Sequence, residues 1–432
     1  MKEIGVGVLG FGTVGAGVVE ALQRNGDLLA ARLGLRLVVR GIADLDLETD
    51  RGVTVDPALM TRDAEAVIAD PSVDVVIELI GGTSVAKSLM LKALKLKKPV
   101  VTANKALLAE CGEEVYAAAE RYQTDLLFEA SVGGGIPIIR ALREGLVVNR
   151  ISQICGILNG TCNYILTRME NEGLPFDSVL REAQAAGYAE AEPSLDVDGI
   201  DTAHKAVVLA TQAFGRLIRM EDVHVEGIRG IDPMDISFAA GLGYRIKLLA
   251  VLKCHNGVIE VRVHPALIPH SHLLASVSHA FNAVEVTGDI VGETLYYGPG
   301  AGRQPTASAV IADVADAARN LAARTPGRIP SVVRLTPSPT IQAVEDVCTR
   351  YYVRLSLRDT PGVFGRVAEI LGRHGISIAS VMQKEEQSGE FVPVIILTHK
   401  AREGAFRAAL KEIEALHDAG AETVRYRIED FD

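Results

Sequence analysis

The chain has 432 residues, 48% of them hydrophobic and 23% charged, which is enough for about three domains of ordinary globular composition. Its formal net charge of −11 argues against a nucleic-acid or anionic-membrane surface, so any phosphate it binds must be held by local donors. No apolar run approaches the roughly 20 residues that cross a bilayer, and the glycine-broken start carries no charged leader or cleavage site, so a cytoplasmic location is expected.

The first predicted element is a short buried strand. Gly10-Phe11-Gly12-Thr13-Val14-Gly15 follows in GxGxxG register and opens an apolar-periodic helix, the pattern of a dinucleotide phosphate turn. Gly10 permits the tight turn, Gly12 lets the backbone approach a pyrophosphate, and Gly15 lets the helix pack closely, while the helix amino end offers free N–H donors. A polar, glycine-bearing run at residues 24–36 is expected to lengthen the first crossover as an insertion. Strand-like runs at 35–44, 73–82 and 98–105, separated by helical stretches, predict a doubly wound parallel sheet. Asp44 ends the second strand and suits a free ribose hydroxyl, whereas Arg40 and Arg51 lie close enough in sequence to partner a phosphate, so NAD and NADP both stay open. Thr83, and Thr102, Ala103 and Lys105, each follow a strand at the carboxyl edge where open parallel sheets bind ligands. Lys105 is thereby a candidate cation for the cleft; a solvated lysine at a helix start would have the same sequence.

Residues 128–139 place three consecutive glycines between Glu129 and Pro137, a geometry that exposes main-chain amides and carbonyls. With Glu129 such oxygens suit a hard monovalent cation, and the same pattern also reads as a tight turn into a helix. Residues 156–166 and 298–310 are further glycine-punctuated polar loops, which carry function more often than scaffold. The most informative stretch is the acid-rich run 187–205, which ends in Lys205 at the entrance of an apolar helix. A cation there needs a partner, and Asp201, four residues earlier in acid-before-base order, can hold it. An ordinary helical ion pair would look the same.

At Gly10–Gly15, Thr102–Ala109, Glu129–Ile139, Gly156–Leu166, Gly187–Lys205, Arg262–Pro269 and Gly298–Val310 the chain resembles homoserine dehydrogenase, with all seven motifs in the family's order. The resemblance implies interconversion of L-aspartate 4-semialdehyde and L-homoserine, with a hydride passing to or from NADP or NAD. Carried over by position, it makes Lys205 the proton donor or acceptor at the substrate oxygen and Lys105 a second catalytic lysine. Glu190, Asp196 and Asp201 would surround the substrate amino group and Lys205, and Asn159, Gly160 and Thr161 would line the cleft. Gly187 and Gly302 would meet the cofactor through their backbone. Glu129, Val132, Gly134 and Ile136 would hold a structural sodium ion. Ala43 stands where NADP-preferring members often carry arginine, which again leaves the cofactor open.

From about Leu321 the chain turns proline- and arginine-rich, the composition of a linker. Beyond it the pattern strand, helix, strand, strand, helix, strand resembles an ACT domain, a ferredoxin-like amino-acid sensor. Asp359, Pro361 and Gly362 would form its ligand edge together with Gly375, Ile376 and Ser377 at the start of the next strand. By analogy the effector is L-threonine; a dimerisation module that binds nothing is the alternative. The expected architecture is α/β: residues 1–128 a Rossmann-type domain, 129–320 an α+β catalytic and dimerisation domain, 321–349 a linker and 350–432 the ACT domain, assembled as a homodimer or homotetramer.

Five cysteines, Cys111, Cys155, Cys162, Cys254 and Cys348, are odd in number and lack metal-ligand spacing, which fits a reducing compartment. Cys162 invites a second reading, an acylating semialdehyde dehydrogenase with a thiolate nucleophile, although no histidine is placed by motif to activate it. A third reading is a non-catalytic amino-acid sensor on a dinucleotide scaffold; loss of Lys205 would have favoured it, and Lys205 is present.

Overall fold

The computed structural model describes residues 1–383, 390–420 and 423–431. Its first unit alternates strand and helix: β1 (Lys2–Leu9), α1 (Thr13–Leu33), β2 (Leu35–Ala43), β3 (Met60–Thr61), α2 (Ala64–Ala69), β4 (Val75–Glu78), α3 (Val85–Lys95), β5 (Val100–Thr102), α4 (Lys105–Tyr122) and β6 (Leu126–Leu127). The strands form one parallel sheet in the order β3-β2-β1-β4-β5-β6. That order reverses between β1 and β4, and in open parallel sheets the crevice at such a reversal is where ligands bind. Residues 24–36 are mostly helix. Their first ten continue α1 through its last turns, which bury Ala30 and close at Gly34 in the left-handed conformation, φ +72°, the usual end for a helix whose last carbonyls need donors.

The middle segment runs α5 (Ile138–Arg140), β7 (Ile151–Ile157), α6 (Gly160–Glu172), α7 (Phe176–Ala185), α8 (Ser194–Val197), α9 (Ile200–Phe214), β8 (His224–Val225), α10 (Pro233–Gly241), β9 (Tyr244–His255), β10 (Val258–Pro269), β11 (Phe281–Gly288), β12 (Gly292–Pro299) and α11 (Arg303–Ala323). Its main strands follow the order β12-β11-β7-β9-β10. The α9 helix is buried along nearly its whole length, Lys205 included, because Val207, Val208 and Leu209 share one core with Leu248 and Val263 of the sheet beneath. Although α11 ends the middle segment, it packs back on the dinucleotide unit: Ala307, Val310 and Val314 join the core of Val6, Val8 and Val18.

The third unit contains β13 (Thr340–Ile341), β14 (Cys348–Arg358), α12 (Val363–Arg373), β15 (Ile378–Gln383), β16 (Phe391–Thr398), β17 (Ala401–Arg402), α13 (Glu403–Glu414) and β18 (Val424–Ile428). The strand, helix, strand, strand, helix, strand pattern is present; Ala421 and Glu422, ahead of its last strand, lie outside the described residues. Its sheet is not separate from the middle one. β18 pairs with β10 through Ala266 with Arg427 and Leu267 with Ile428, so a single sheet continues from β12 to β15.

The stretch expected to be a linker is held to the body by hydrogen bonds. Arg143 donates to the Ile329 and Pro330 carbonyls, Gln212 to the Ser331 carbonyl and Leu335 N–H to the Gly215 carbonyl, and β13 pairs with β10. In the side-chain contacts the stretch supplies carbonyl acceptors to donors on the body, and its own Arg328 reaches Glu144. Among the described residues no helix is long and apolar enough to cross a membrane.

Candidate active site

The glycine turn after β1 has the geometry its spacing implies. Gly10 holds φ +97°, and a Cβ there would lie 2.6 Å from the Leu79 carbonyl oxygen. A Cβ at Gly15 would lie 2.1 Å from the Gly10 oxygen, so α1 and the turn touch only because both residues are glycine. Nothing lies within 4 Å of a Cβ built on Gly12, the residue that caps α1. The helix amino end therefore opens into a cleft of about 790 Å³ lined by Gly10, Gly12, Asp44, Thr61, Arg62 and Ile80. An open glycine face and unpaired helix amides suit a pyrophosphate.

At the other end of the cleft Asp44 accepts from the Phe11 and Asp46 amides, tying the end of β2 to the glycine turn. The two arginines expected as phosphate partners are engaged elsewhere. Arg40 lies within β2, short of its carboxyl end, and pairs with Glu3 at 2.5 Å, while Arg51 pairs with Asp46 at 2.8 Å. The cation that does line the cleft is Arg62, whose Nε donates to the Leu45 carbonyl at 3.1 Å. It follows a two-residue strand, too short to mark that loop as part of the sheet edge.

The carboxyl ends of β4 and β5 are joined by a residue the motifs did not flag. Glu78 is fully buried; it accepts from the Ile80 and Gly81 amides and from the Thr102 hydroxyl, the last at 2.6 Å. Thr102 Oγ1 accepts from Asn104 N–H, and Asn104 in turn donates from its side chain to the Gly82 carbonyl and caps α4 by accepting from Leu107 N–H. Thr83 and Ala103 lie in the two loops this network joins, and Lys105 is the first residue of the helix it caps.

Lys105 meets the middle segment at Asp201, with its Nζ 3.3 Å from Oδ1. The other oxygen, Oδ2, accepts from Lys205 Nζ at 2.7 Å and from Asn159 Nδ2 at 2.9 Å. Lys205 also donates to the Leu158 carbonyl at 2.7 Å. Two of its three N–H groups are thus spent and one is left for a ligand oxygen. Burial alone would raise the Asp201 carboxyl, but attraction to Lys205 and Lys105, with hydrogen bonds from Lys205 and Asn159, outweighs it and holds the acid well below its ordinary range. Asp201 is therefore a fixed negative charge between two lysines.

Asp196 accepts from Asn159 Nδ2 at 2.7 Å. Its carboxyl is pushed up by burial, with the nearby charges of Asp201 and Glu190 acting the same way. Glu190 itself is exposed, and its carbonyl accepts from the Gln184 side chain. Gly160 begins α6 against Ala280, where a Cβ would come within 2.8 Å of the carbonyl oxygen. Thr161 donates to the Tyr188 carbonyl, and Tyr188 stacks on Tyr164 at 4.3 Å. Gly187, φ +77°, is exposed in the turn after α7. Gly302, φ +113°, starts α11, whose first residue Arg303 pairs with Glu20 of α1 at 3.0 Å.

Cys162 lies one turn into α6, fully buried, with its Sγ donating to the Asp196 carbonyl at 3.2 Å. Burial pushes the thiol well up, and Asp196 and Asp201 push it further. A thiolate, the reactive form, is disfavoured among such neighbours, which sets aside the acylating alternative. His204, beside Lys205 in sequence, has Nε2 3.4 Å from Glu110 of α4, and burial lowers its basicity. The sequence offered a signal for it only in its adjacency to Lys205.

The Glu129 carboxylate caps the turn that follows the glycine run. Its oxygens accept from the Ile139 and Arg140 amides at 2.9 and 2.7 Å; the first helical turn after a glycine run leaves these donors free, and the carboxylate satisfies them. Gly134 holds φ +55°, with a Cβ position 2.5 Å from the Gly300 oxygen, so this loop is seated on the 298–302 loop. No cluster of three or more His, Cys, Asp or Glu suited to a metal is present among the described residues.

In the third unit Gly362, φ +90°, caps α12, and Asp359 accepts from Gln383 at 3.2 Å. Pro361 is exposed. Gly375, Ile376 and Ser377 precede β15 rather than begin it, with Ile376 buried and the Ser377 carbonyl accepting from His399 N–H.

A parallel dinucleotide sheet with a carboxylate shared by two lysines, one of them just past the end of β5, defines an oxidoreductase that uses a nicotinamide cofactor. Comparison with known families resolves the class. Residues 10–129 match the model described as "Homoserine dehydrogenase, NAD binding domain", residues 137–315 that described as "Homoserine dehydrogenase", and residues 351–418 that of the ACT domain. The homoserine dehydrogenase of Neisseria gonorrhoeae is 45% identical over 419 residues, 96% of each chain. The crystal structure of a homoserine dehydrogenase from Thiobacillus denitrificans superposes with a TM-score of 0.94 at 44% identity, covering 100% of this chain and 99% of that one. A hyperthermophilic archaeal homoserine dehydrogenase in complex with NADPH superposes with a TM-score of 0.63 at 26% identity over 73% of this chain and 98% of its own. The chain belongs to the homoserine dehydrogenase family.

Proposed function

We propose that Lys205 and Asp201 carry the proton chemistry by which this enzyme interconverts L-aspartate 4-semialdehyde and L-homoserine. A bound nicotinamide supplies or accepts the hydride. As the aldehyde carbon gains a hydride its oxygen becomes an alkoxide, and the ammonium of Lys205 neutralises that charge and transfers a proton to it; the reverse reaction returns the proton to Nζ. Asp201 keeps Lys205 in place, and Lys105 on its other oxygen adds a second positive charge on the cofactor side. Asp196 and Glu190 supply the negative charge an α-ammonium group requires. The observation that carries this reading is the single buried carboxylate shared by two lysines from different domains.

The cofactor set is Gly10, Gly12, Gly15 and the loops at Thr83, Thr102 and Gly302. Asp44 favours NAD and Arg62 favours NADP, and the archaeal relative is the one seen with NADPH. A sodium ion at Glu129, Val132, Gly134 and Ile136 would rest on main-chain carbonyls, as the Glu129 side chain holds two amides. The effector edge at Asp359 and Gly362 would take L-threonine, and a cytoplasmic homodimer or homotetramer would form through the middle sheet and paired ACT units.

The test is one spectrophotometric assay of homoserine oxidation with NAD and with NADP, each with and without threonine and with sodium exchanged for a larger cation. Turnover with either cofactor supports the reading; no turnover with both removes it. Indifference to threonine removes the effector assignment alone, and indifference to the cation exchange removes the sodium assignment alone.

A further inference from the structure

The segment after β8 joins the last strand of the ACT unit to the turn that carries the catalytic helix. On one side Glu226 receives both arms of Arg427 on β18, Nη1 at 2.8 Å and Nη2 at 3.1 Å. Arg427 is almost completely buried, and its Nε and Nη2 also hold Glu403 of α13 at 3.0 and 2.8 Å. A bidentate guanidinium fixes orientation as well as distance. His224 completes the cluster at 2.7 Å from Glu226.

On the other side the main chain of the same residues is pressed against the α8–α9 turn. Ile228 N–H donates to the Val197 carbonyl at 2.7 Å, and Gly199 N–H donates to the Asp196 carbonyl at 3.0 Å. A Cβ on Gly227 would lie 2.3 Å from the Val197 oxygen, and one on Gly199 would lie 3.3 Å from the Glu226 oxygen. Arg229 clasps Asp198 and donates to Ser194 Oγ at 2.9 Å. This turn carries Asp196 on one side and Asp201 and Lys205 on the other. Between Arg427 and the substrate cluster there is one side chain and one peptide layer, with no loose loop.

We propose that Glu226 and Arg427 are positioning residues for the reaction: the last ACT strand, acting through Glu226, sets where the α8–α9 turn holds Asp196, Asp201 and Lys205. This rests on the reading of that cluster as the substrate site. The ACT unit is then part of the active-site support even with no effector bound, and an effector that shifts β18 acts on substrate binding more than on the cofactor. Displacements of about 1 Å at a support can cost up to about a hundredfold in rate, so a modest change at Arg427 is expected to be felt.

Two single variants of the full-length enzyme, their double and a control variant test it. In Glu226→Gln, which keeps the shape and loses the charge, the KM for homoserine is expected to rise about tenfold, with the cofactor dissociation constant within about twofold of wild type. Arg427→Lys, which keeps the charge and loses the fork, should show the same split and gives the readout if Glu226→Gln does not fold. The double variant should be no worse than the weaker single one, because both break one link. Arg407→Gln perturbs Glu403 from its far side, without touching Glu226, and should leave the homoserine KM unchanged. A folded Glu226→Gln enzyme with wild-type homoserine KM overturns the proposal, as does an equal rise in Arg407→Gln. Near-normal turnover in Lys205→Ala would instead remove the underlying reading of the site.

Discussion

Replacing Lys205 with alanine removes the buried ammonium whose third N–H is left for a ligand oxygen, and the surroundings set how large the loss should be. General acid–base catalysis by a placed side chain contributes about 10²- to 10⁴-fold, or about 3–5 kcal/mol of barrier. Lys105 cannot take over, because it approaches the opposite oxygen of Asp201 from the first domain. The loss should therefore fall in the upper half of that range and appear equally in kcat and kcat/KM. Folding should suffer less. Breaking a buried pair costs about 3–5 kcal/mol when it strands a charge, but Asp201 keeps Lys105 and the amide of Asn159, so the cost should lie at or below the lower end. The assay is steady-state homoserine oxidation beside direct titration with reduced cofactor and a thermal melt. A folded variant that binds cofactor normally and turns over within tenfold of wild type would refute the assignment.

The glycine turn separates two effects that usually travel together: Gly12→Ala, with φ −67° and no atom near its Cβ, should leave the melting temperature unchanged and raise the cofactor KM, whereas Gly15→Ala should lower the melting temperature. Cys162→Ala should retain most turnover and lose about 1–2 kcal/mol of stability for the small cavity, as read by denaturant titration. Acid unfolding should report Glu429, which burial would raise but which Arg262, Lys253 and His264 hold down to about 2. Its contribution is complete above the unfolded carboxyl range near pH 4, is lost as pH falls from there through about 2, and amounts to about 3 kcal/mol; Glu429→Gln should flatten that part of the acid curve. Truncation after Arg350 should yield a poorly folded protein rather than an unregulated enzyme, because it uncovers Asp235, which holds Tyr352 and Arg354, together with Arg262 and Lys253. A soluble, fully active truncation would refute that.

The parts of the site legible in the sequence are those written by local spacing. Gly10, Gly12 and Gly15 declare a turn because only glycine fits it, and the four-residue step from Asp201 to Lys205 becomes an ion pair on any helix. What stayed hidden depends on contacts distant in sequence. Glu78 reads as one polar residue in an apolar strand until Thr102, 24 positions later, meets it. Arg40 and Arg62 are equivalent in composition, and only the edge pairing of β3 on β2 turns the second toward the cleft. The amides that the Glu129 carboxylate caps, at Ile139 and Arg140, are likewise hidden in the sequence, and the proline-rich 321–349 stretch reads as a linker because the donors that hold it, Arg143 and Gln212, lie far back in the chain.

The strand pairing between Ala266 and Arg427 also bears on how the protein is made. About 160 residues separate the two partners, so that part of the β10 edge stays open until those residues have left the ribosome. Long-range pairing of this kind is slow to form and leaves an unprotected strand in the meantime. A nascent chain stalled before Arg427 would present that strand to its neighbours on the same messenger, which makes synthesis of β18 the step that completes the catalytic sheet.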